Sequence, residues 1–274
     1  MNEENLIQMC KQAYQASHEC ALLSTAQKNA ILLDLAVMLE NGKEEIMRVN
    51  AVEARDAAKK GLAPALVDRM TFNDARFKEM CDGVRKVAAL DDPLNRIYDG
   101  RTLPSGLSLY KHTVPLGVVG VIFESRPNVT VDIAALCLKS GNACVLRGGS
   151  ECIRTNSILH EIIEKVLKKH AVAPAAVSFV SSPDRELIGA MLRQREYISV
   201  LIPRGGEKLQ RMCQEQSSIP VIIGGFGISH IFADESCDVE RSVKVIVNAK
   251  VQKPSACNAL DTLLVHESRA KQLI

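Results

Sequence analysis

The pattern of hydrophobic positions changes near residue 90. Before that point apolar residues recur with the spacing of a helix face, and Ser24 and Gly42 suit the start and the stop of one such helix. Asp91-Asp92-Pro93 interrupts the periodicity, and residues 94–114 alternate around Pro104-Ser105-Gly106 as a hairpin does. The pattern predicts an N-terminal helical layer followed by a two-stranded β-hairpin arm.

From Pro115 onward, short apolar runs alternate with helical patterns. This is the sequence form of βαβ units, in which helices cover both faces of a parallel sheet. The pattern therefore predicts an α/β fold with a doubly wound, Rossmann-like parallel sheet. The predicted strands are Val118–Phe123, Ala143–Arg147, Val177–Val180, Ser199–Pro203 and Pro220–Ile223.

Three helices between these strands carry local start or stop signals. The first runs from Val129 to Ser140-Gly141-Asn142, where glycine suits the left-handed conformation. The second begins near Ser150 and finishes at Lys168-Lys169-His170, whose charges suit the negative end of a helix. The third is predicted to start at Ser182-Pro183-Asp184, with proline at the first helical position.

Composition and charge narrow the classes of function. The 274 residues include 34 Lys+Arg and 32 Asp+Glu, and a formal net charge of +2 offers no field for nucleic acid. No apolar run reaches the roughly 18–20 residues that a membrane helix needs, and the N-terminus is acidic, so we expect a cytoplasmic protein without a membrane partner. The nine cysteines are expected to be reduced, and no spacing suits a metal site.

Ligands of a doubly wound sheet bind at the carboxyl ends of its strands, where glycine turns lead into helices. Arg147-Gly148-Gly149-Ser150-Glu151 offers a cation, backbone N–H groups and a carboxylate for ribose hydroxyls, although an ordinary strand-to-helix turn explains it equally well. Pro203-Arg204-Gly205-Gly206 follows another predicted strand, and Gly224 and Gly225 follow the last one. Glycine-lined crevices at one sheet edge suit a dinucleotide.

A polar loop follows the first strand of the predicted sheet. In Glu124-Ser125-Arg126-Pro127-Asn128, Arg126 suits an anionic substrate group and Asn128 suits an amide donor for an oxyanion. A plain polar loop is the alternative explanation, because loops are polar by default. Sequence spacing does not decide between the two.

Cys257 is the best-placed candidate nucleophile among the cysteines. It lies in a polar, turn-like stretch, whereas Cys137 and Cys144 fall inside apolar runs. A nearby donor or cation would lower its pKa, and Lys250 and Lys253 are close in sequence. The alternative is inert packing, which is the usual role of a cysteine.

Several segments together carry a specific family resemblance. The run Pro115–Thr130 (PLGVVGVIFESRPNVT) resembles the signature of the γ-glutamyl phosphate reductase family, also called glutamate-5-semialdehyde dehydrogenases, within the aldehyde dehydrogenase superfamily. Four further segments resemble motifs of the same family and occur in the same order as in that family. They are Leu201–Gly206, Ile219–Ile222, Val247–Lys250 and Pro254–Asn258. The resemblance covers essentially the whole chain and implies the aldehyde dehydrogenase type of fold. It implies an NADPH-binding domain (1–93 and 115–228), an oligomerisation hairpin (94–114) and the start of an α/β catalytic domain (229–274).

The resemblance also implies a reaction. This is the NADPH-dependent reduction of L-glutamyl 5-phosphate to L-glutamate 5-semialdehyde in proline biosynthesis, with release of phosphate and a thioacyl intermediate on Cys257. By residue match, the turns at 147–151 and 203–206 and the glycines at 224 and 225 line the NADPH site. Ser125 and Arg126 bind substrate, and Asn128 contributes to the oxyanion site, although Ser125 or Arg126 could occupy that place. A homo-oligomer and functional coupling to a glutamate 5-kinase are further expectations.

Two departures from the superfamily pattern keep alternatives open. Ile222 stands where hydrolytic aldehyde dehydrogenases carry a glutamate before Gly-Gly, so no water-activating base is supplied. The chain stops at Ile274, shortly after Cys257, so we expect a truncated catalytic domain whose activity belongs to the parent protein. The alternatives are a CoA-acylating aldehyde dehydrogenase and a catalytically silent dinucleotide-binding or oligomerising fragment.

Overall fold

The computed structural model describes residues 1–224, 227–254, 256 and 258–274. These residues form two compact units, Met1–Ile223 and Gly224–Ile274. The domain boundary predicted from the sequence lies after residue 228. The functional assignment of the two parts stays a prediction.

The N-terminal layer is helical, as the sequence predicts. Ser24 caps the second helix, because its side chain accepts from the Gln27 N–H while the Gln27 side chain accepts from the Ser24 N–H, and Gly42 ends it. The helices are α1 (Glu3–Leu22), α2 (Thr25–Asn41), α3 (Lys43–Lys59), α4 (Pro64–Met70) and α5 (Asp74–Ala89). In the described part of the chain no single helix is long and apolar enough to cross a membrane. Of the described helices, only α1 and α2 taken together reach the length and apolar composition of a membrane span, and they are bent by 117° where they join.

The segment between this layer and the arm is held by a mostly buried ion pair. Asp92 Oδ2 lies 2.6 Å from Lys28 Nζ and accepts from Thr25 Oγ1 at 2.6 Å. Burial opposes ionisation of Asp92, but the hydrogen bonds from Lys28 and Thr25 outweigh it and lower its pKa to about 2. The predicted hairpin follows as antiparallel strands β1 (Ile97–Thr102) and β2 (Ser108–His112), and every residue of both is exposed.

Among the described residues, the central sheet has four parallel strands in the order β5-β4-β3-β6. They are β3 (Val118–Phe123), β4 (Ala143–Arg147), β5 (Val177–Phe179) and β6 (Val200–Arg204). The chain moves outward from β3 through β4 to β5 and then crosses to β6 on the other side of β3. The strand order therefore reverses between β3 and β6, which is the topological switch point of such a sheet.

Helices cover both faces of this sheet, which confirms the predicted doubly wound fold. Val119 and Val121 of β3 face a core shared with α2 and α5, whereas Val118 and Ile122 face a second core shared with α1. The crossover helices are α6 (Asn128–Lys139), α7 (Ile153–Lys169) and α8 (Glu186–Leu192), and α9 (Glu207–Gln216) follows β6. Gly141 after α6 adopts φ +68°, as its predicted stop signal requires.

The strand predicted at Pro220–Ile223 is wrong. Only an isolated bridge forms there among the described residues, between Val221 and Leu201. Pro220 has no N–H to donate to a neighbouring strand. Ile222 and Ile223 are exposed, so this segment also lacks the burial that stabilises the other strands.

The start predicted for the third crossover helix is also wrong. The helix α8 begins at Glu186, whereas the prediction was Ser182-Pro183-Asp184. The Asp184 side chain accepts from the Glu186 N–H at 2.9 Å, and Ser182 Oγ accepts from the Asp184 N–H at 3.4 Å. These local hydrogen bonds stabilise a turn in place of the first helical turn.

The second unit is a small α/β segment. Strands β7 (Ser229–Ala233) and β8 (Leu260–Val265) pair in parallel, and α10 (Val239–Val251) connects them. Asp238 caps α10 by accepting from the Arg241 N–H at 2.8 Å. All of α10 is described and none of its residues is buried; α11 (Ala270–Leu273) follows β8.

Candidate active site

Three loops meet at the carboxyl edge of the central sheet. They follow β3 (124–127), β4 (148–152) and β6 (205–206). Because β3 lies between β4 and β6, its loop is next to both of the others. Glu124 N donates to Arg204 O at 3.2 Å, which joins the β3 and β6 ends directly. The site residues predicted from these three loops therefore lie at one edge of the first unit.

The turn after β4 is closed and its arginine is buried. Arg147 is 7% exposed, and its guanidinium donates to Gly148 O at 2.8 Å and to Pro183 O at 3.3 Å. Burial lowers the pKa of Arg147, and the nearby Glu151 acts in the opposite direction. Arg147 thus holds the backbone that follows β5, a packing role that the sequence did not indicate.

A carboxylate from a distant helix occupies the start of α7. The side chain of Glu53 in α3 is 3% exposed. Its Oε1 accepts from Arg154 N at 2.7 Å, and its Oε2 accepts from Thr155 N at 2.9 Å and Thr155 Oγ1 at 2.5 Å. The positive end of α7 is therefore already neutralised. Sequence reasoning missed Glu53, although an acid on the buried stripe of α3 beside Ala54 and Ala57 is a usable signal.

The loop after β3 is tied to the turn after β4. Both the N–H and the hydroxyl of Ser125 donate to Glu151 Oε1, at 2.8 and 2.6 Å. Ser125 is buried and has φ +41°, a left-handed conformation that is uncommon for a residue with a side chain. The carboxylate that the sequence offered to a ribose is thus engaged by the predicted substrate loop. Ser150 is exposed and begins a short 3₁₀ turn before α7.

The turn after β6 is open. Arg204 is exposed, and Gly206 is the N-cap of α9, with its N–H donating to Glu124 Oε2 at 3.1 Å. A Cβ added to Gly205 would lie 2.6 Å from Glu124 Cδ. A Cβ added to Gly206 would meet no atom within 4 Å among the described residues. Pro203 is buried in β6, opposite Ile122 of β3. The turn therefore starts from a buried strand residue, whereas Arg204 and Gly206 are exposed.

The remaining residues of the β3 loop lie at the start of α6. Asn128 is partly buried and its Nδ2 donates to Asp132 Oδ2 at 2.8 Å, one turn along the helix. Burial raises the pKa of Asp132, against the lowering effect of the Asn128 hydrogen bond. Arg126 is exposed, and Pro127 between them is buried. This placement leaves the cation of the loop at the surface and the amide beside the helix start.

The other predicted site residues are Gly224, Gly225 and Cys257. Gly224 is exposed and is the first residue of the second unit. Gly225 and Cys257 lie outside the described residues. Among the residues that the structure does describe, no group of three or more His, Cys, Asp or Glu side chains is arranged to hold a metal ion.

A doubly wound parallel sheet with glycine turns at its switch point is the architecture of dinucleotide-binding proteins. The profile of the aldehyde dehydrogenase family matches residues 1–274, and the chain belongs to this family.

The most informative relatives are reductases. The chain is 51% identical over 264 residues to the γ-glutamyl phosphate reductase of Vibrio cholerae serotype O1. The aligned residues cover 96% of this chain and 64% of that protein. The crystal structure of γ-glutamyl phosphate reductase from Thermotoga maritima matches with a TM-score of 0.89 and 38% identity, covering 98% of this chain and 65% of that one. The chain thus spans just under two thirds of the length of these relatives.

A more distant structure shares the fold. Glyceraldehyde-3-phosphate dehydrogenase from Methanocaldococcus jannaschii, solved in complex with NADP, matches with a TM-score of 0.70 at 17% identity. The match covers 100% of this chain and 57% of that one. At this identity the likeness concerns the fold alone.

Proposed function

We propose that this protein reduces L-glutamyl 5-phosphate to L-glutamate 5-semialdehyde with NADPH and releases phosphate. The observation that carries the proposal is the 51% identity to the Vibrio cholerae γ-glutamyl phosphate reductase over 96% of this chain. The match to the Thermotoga maritima reductase, with a TM-score of 0.89, supports it.

The cofactor is proposed to bind along the edge formed by residues 147–151 and 203–206; the role of Gly224 and Gly225 stays a prediction from the sequence. The turn after β6 suits this role best, because the exposed Arg204 offers a cation for a phosphate and Gly206 leaves space for close backbone approach. When bound, NADPH supplies a hydride. The choice of NADPH follows from the resemblance to the reductase family.

The nucleophile is proposed to be Cys257. Its thiolate attacks the acyl carbon, the bond from that carbon to the phosphate oxygen breaks, and phosphate leaves as a stable anion, so a thioester forms. Addition of hydride at the thioester carbon gives a thiohemiacetal, whose collapse releases the aldehyde and restores the thiolate. Backbone N–H groups and the Asn128 amide are proposed to stabilise the oxyanion in both steps.

The substrate is proposed to be held by the loop after β3. Arg126 is exposed at this edge and suits an anionic group, and Ser125 shapes the loop. Ile222, where hydrolytic relatives carry a glutamate, leaves the thioester without a base that would activate water. The chemistry therefore favours reduction of the thioester over its hydrolysis.

The cellular setting is proposed to be proline biosynthesis in the cytoplasm. The substrate is an acyl phosphate, which an ATP-dependent kinase acting on glutamate must supply, so coupling to a glutamate 5-kinase is expected. The hairpin of β1 and β2 is proposed to join copies into a homo-oligomer, since its exposed side chains include Ile97, Tyr98 and Tyr110.

The test is an assay of NADPH oxidation with L-glutamyl 5-phosphate generated in the reaction by glutamate 5-kinase and ATP. Cys257→Ser is expected to reduce turnover to the background rate while NADPH binding, measured by calorimetry, is retained. Undiminished turnover in that variant contradicts the nucleophile assignment.

A parallel assay supplies an acyl-CoA donor. Turnover with the acyl-CoA and none with the acyl phosphate would identify a CoA-acylating enzyme and overturn the proposal. NADPH binding without turnover from either donor would favour a dinucleotide-binding fragment.

A further inference from the structure

One side chain connects the two loops that the proposed function assigns to cofactor and substrate. Glu151, in the turn after β4, accepts two hydrogen bonds at Oε1 from Ser125 in the loop after β3. The donors are the backbone N–H at 2.8 Å and the hydroxyl at 2.6 Å. Bonds to a charged acceptor are about twice as strong as those between neutral groups. The two loops are therefore fixed to each other by a single carboxylate.

The conformation of Ser125 needs this support. Its φ of +41° lies in the left-handed region, which a residue with a Cβ occupies only when its surroundings hold it there. Ser125 is 6% exposed, so water is a poor substitute acceptor for its N–H. Glu151 supplies the acceptor for both hydrogen-bond donors of this strained residue, the N–H and the hydroxyl.

The turn after β4 is shaped to let the carboxylate reach Ser125. Gly149 has φ −61° and ψ 146°, which any residue adopts, so backbone strain does not explain the glycine. A Cβ at this position would lie 2.1 Å from Glu151 Oε1 and 2.5 Å from its Cδ. A residue with a Cβ does not fit at position 149 unless the Glu151 side chain, which crosses the turn there, moves.

Ser125 in turn sets the direction of its neighbours. Glu124 and Arg126 on either side are exposed, whereas Ser125 and Pro127 are buried. The left-handed turn at Ser125 therefore decides where the Arg126 cation lies at the edge of the sheet. It also precedes Asn128, the first residue of α6.

We propose that Glu151 is a positioning residue. Its carboxylate holds Ser125 in the left-handed conformation and thereby places Arg126 and Asn128 for the substrate; the substrate part of this proposal rests on the proposed function. The ribose contact that the sequence suggested for Glu151 stays a prediction.

The first test measures hydrogen exchange by mass spectrometry on the 274-residue chain, in peptides that cover residues 123–128. Glu151→Ala is expected to speed exchange of this segment about tenfold or more, because the Ser125 N–H loses a charged acceptor. Gly149→Ala is expected to do the same, since it displaces the carboxylate without removing its charge.

Two further variants separate positioning from general damage. Glu151→Gln keeps an acceptor oxygen and is expected to bring exchange back to within about threefold of the wild-type rate. Asp56→Ala removes an exposed carboxylate paired with Arg154 near the same helix and is expected to match the wild type. Wild-type exchange in Glu151→Ala, or equal exchange in the Gln and Ala variants, overturns the proposal.

Inorganic phosphate then probes the substrate side. Phosphate is expected to slow exchange of residues 123–128 in the wild type and in Glu151→Gln, but not in Glu151→Ala. Full protection by phosphate in Glu151→Ala overturns the positioning role. If phosphate protects none of the proteins while Glu151→Ala still exchanges fast, Glu151 holds Ser125 and the proposed substrate role of Arg126 fails.

Discussion

The tripeptide Arg-Gly-Gly begins at the last residue of both strands that flank β3, yet the two copies have different surroundings. After β4, Arg147 is 7% exposed and donates to backbone carbonyls, including that of Pro183. After β6, Arg204 is exposed at the start of a turn with space beside Gly206. Identical residues after parallel strands thus pack the protein in one place and remain accessible to a ligand in the other.

The carboxylates at the two turns differ in the same way. Glu53 is buried at the start of α7, where it accepts three hydrogen bonds. Glu124 is exposed at the start of α9, where it accepts one bond from Gly206 N. A buried acceptor cannot be replaced by water, whereas an exposed one can. The turn after β4 is therefore a fixed part of the fold, and the turn after β6 is the part that can rearrange.

The largest effect is expected from Glu53→Ala. Removal of the carboxylate leaves the N–H groups of Arg154 and Thr155 without an acceptor in a buried place, so the free energy of unfolding should fall by about 3 kcal/mol. Urea denaturation followed by circular dichroism measures this. Asp56→Ala, which removes an exposed partner of Arg154, is the matched control and should leave the midpoint unchanged. Equal midpoints for the two variants would contradict the buried capping role.

Replacing each of the two arginines with methionine tests directly whether the first packs the protein and the second binds a ligand. Arg147→Met should lower the free energy of unfolding by about 2 kcal/mol, because Pro183 O and Gly148 O lose their buried donor. Arg204→Met should change it by less than about 0.5 kcal/mol and weaken NADPH binding about tenfold. Denaturation and calorimetric titration give the two quantities. A larger loss of stability at Arg204 than at Arg147 would reverse the assignment.

The glycines of the β6 turn provide a finer test. Gly205→Ala should lower the free energy of unfolding by about 1 kcal/mol. Its Cβ would meet Glu124 Cδ at 2.6 Å and Leu209 Cδ2 at 2.7 Å, and both of these side chains can shift. Gly206→Ala should be close to neutral, because it has space and the lower entropy of the unfolded chain offsets the poorer helix cap. Thermal unfolding of both variants measures the difference. Equal melting temperatures would show that the contact with Glu124 is absent in solution.

The smallest effect is expected at Glu124. Glu124→Gln should change the free energy of unfolding by less than about 0.5 kcal/mol, because its hydrogen bond to Gly206 N is exposed. Glu53→Gln is the buried counterpart and should be clearly less stable than Glu124→Gln in the same urea titration. If the Glu124 variant were the less stable of the two, the turn after β6 would not be the adaptable one.

The architecture was predictable from the sequence because its signals are local. The apolar runs of β3, β4 and β6, the cap at Ser24 and the left-handed Gly141 each depend on residues close together in the chain. The strand predicted at Pro220–Ile223 failed because an apolar run alone does not show whether a second face is buried.

The details of the site were less predictable because they depend on distant residues. Glu53 meets Thr155 across 102 positions, and Glu124 meets Gly206 across 82. Sequence spacing shows that Arg147 and Arg204 stand in similar motifs, but it does not show that the loop after β5 supplies an acceptor for the first of them. Residue type and motif thus located the edge of the sheet without distinguishing its fixed and accessible parts.

The long separations between the groups that meet at this edge affect how the chain folds. The Glu124 contact with Gly206 requires β3 and β6 to be side by side, and the Ser125 contact with Glu151 requires β4 to be in register as well. Contacts between remote segments form slowly, because loop closure costs entropy before the contact is made. The helical hairpins of the N-terminal layer can form early, whereas the region proposed to bind ligands becomes native only when the sheet is complete.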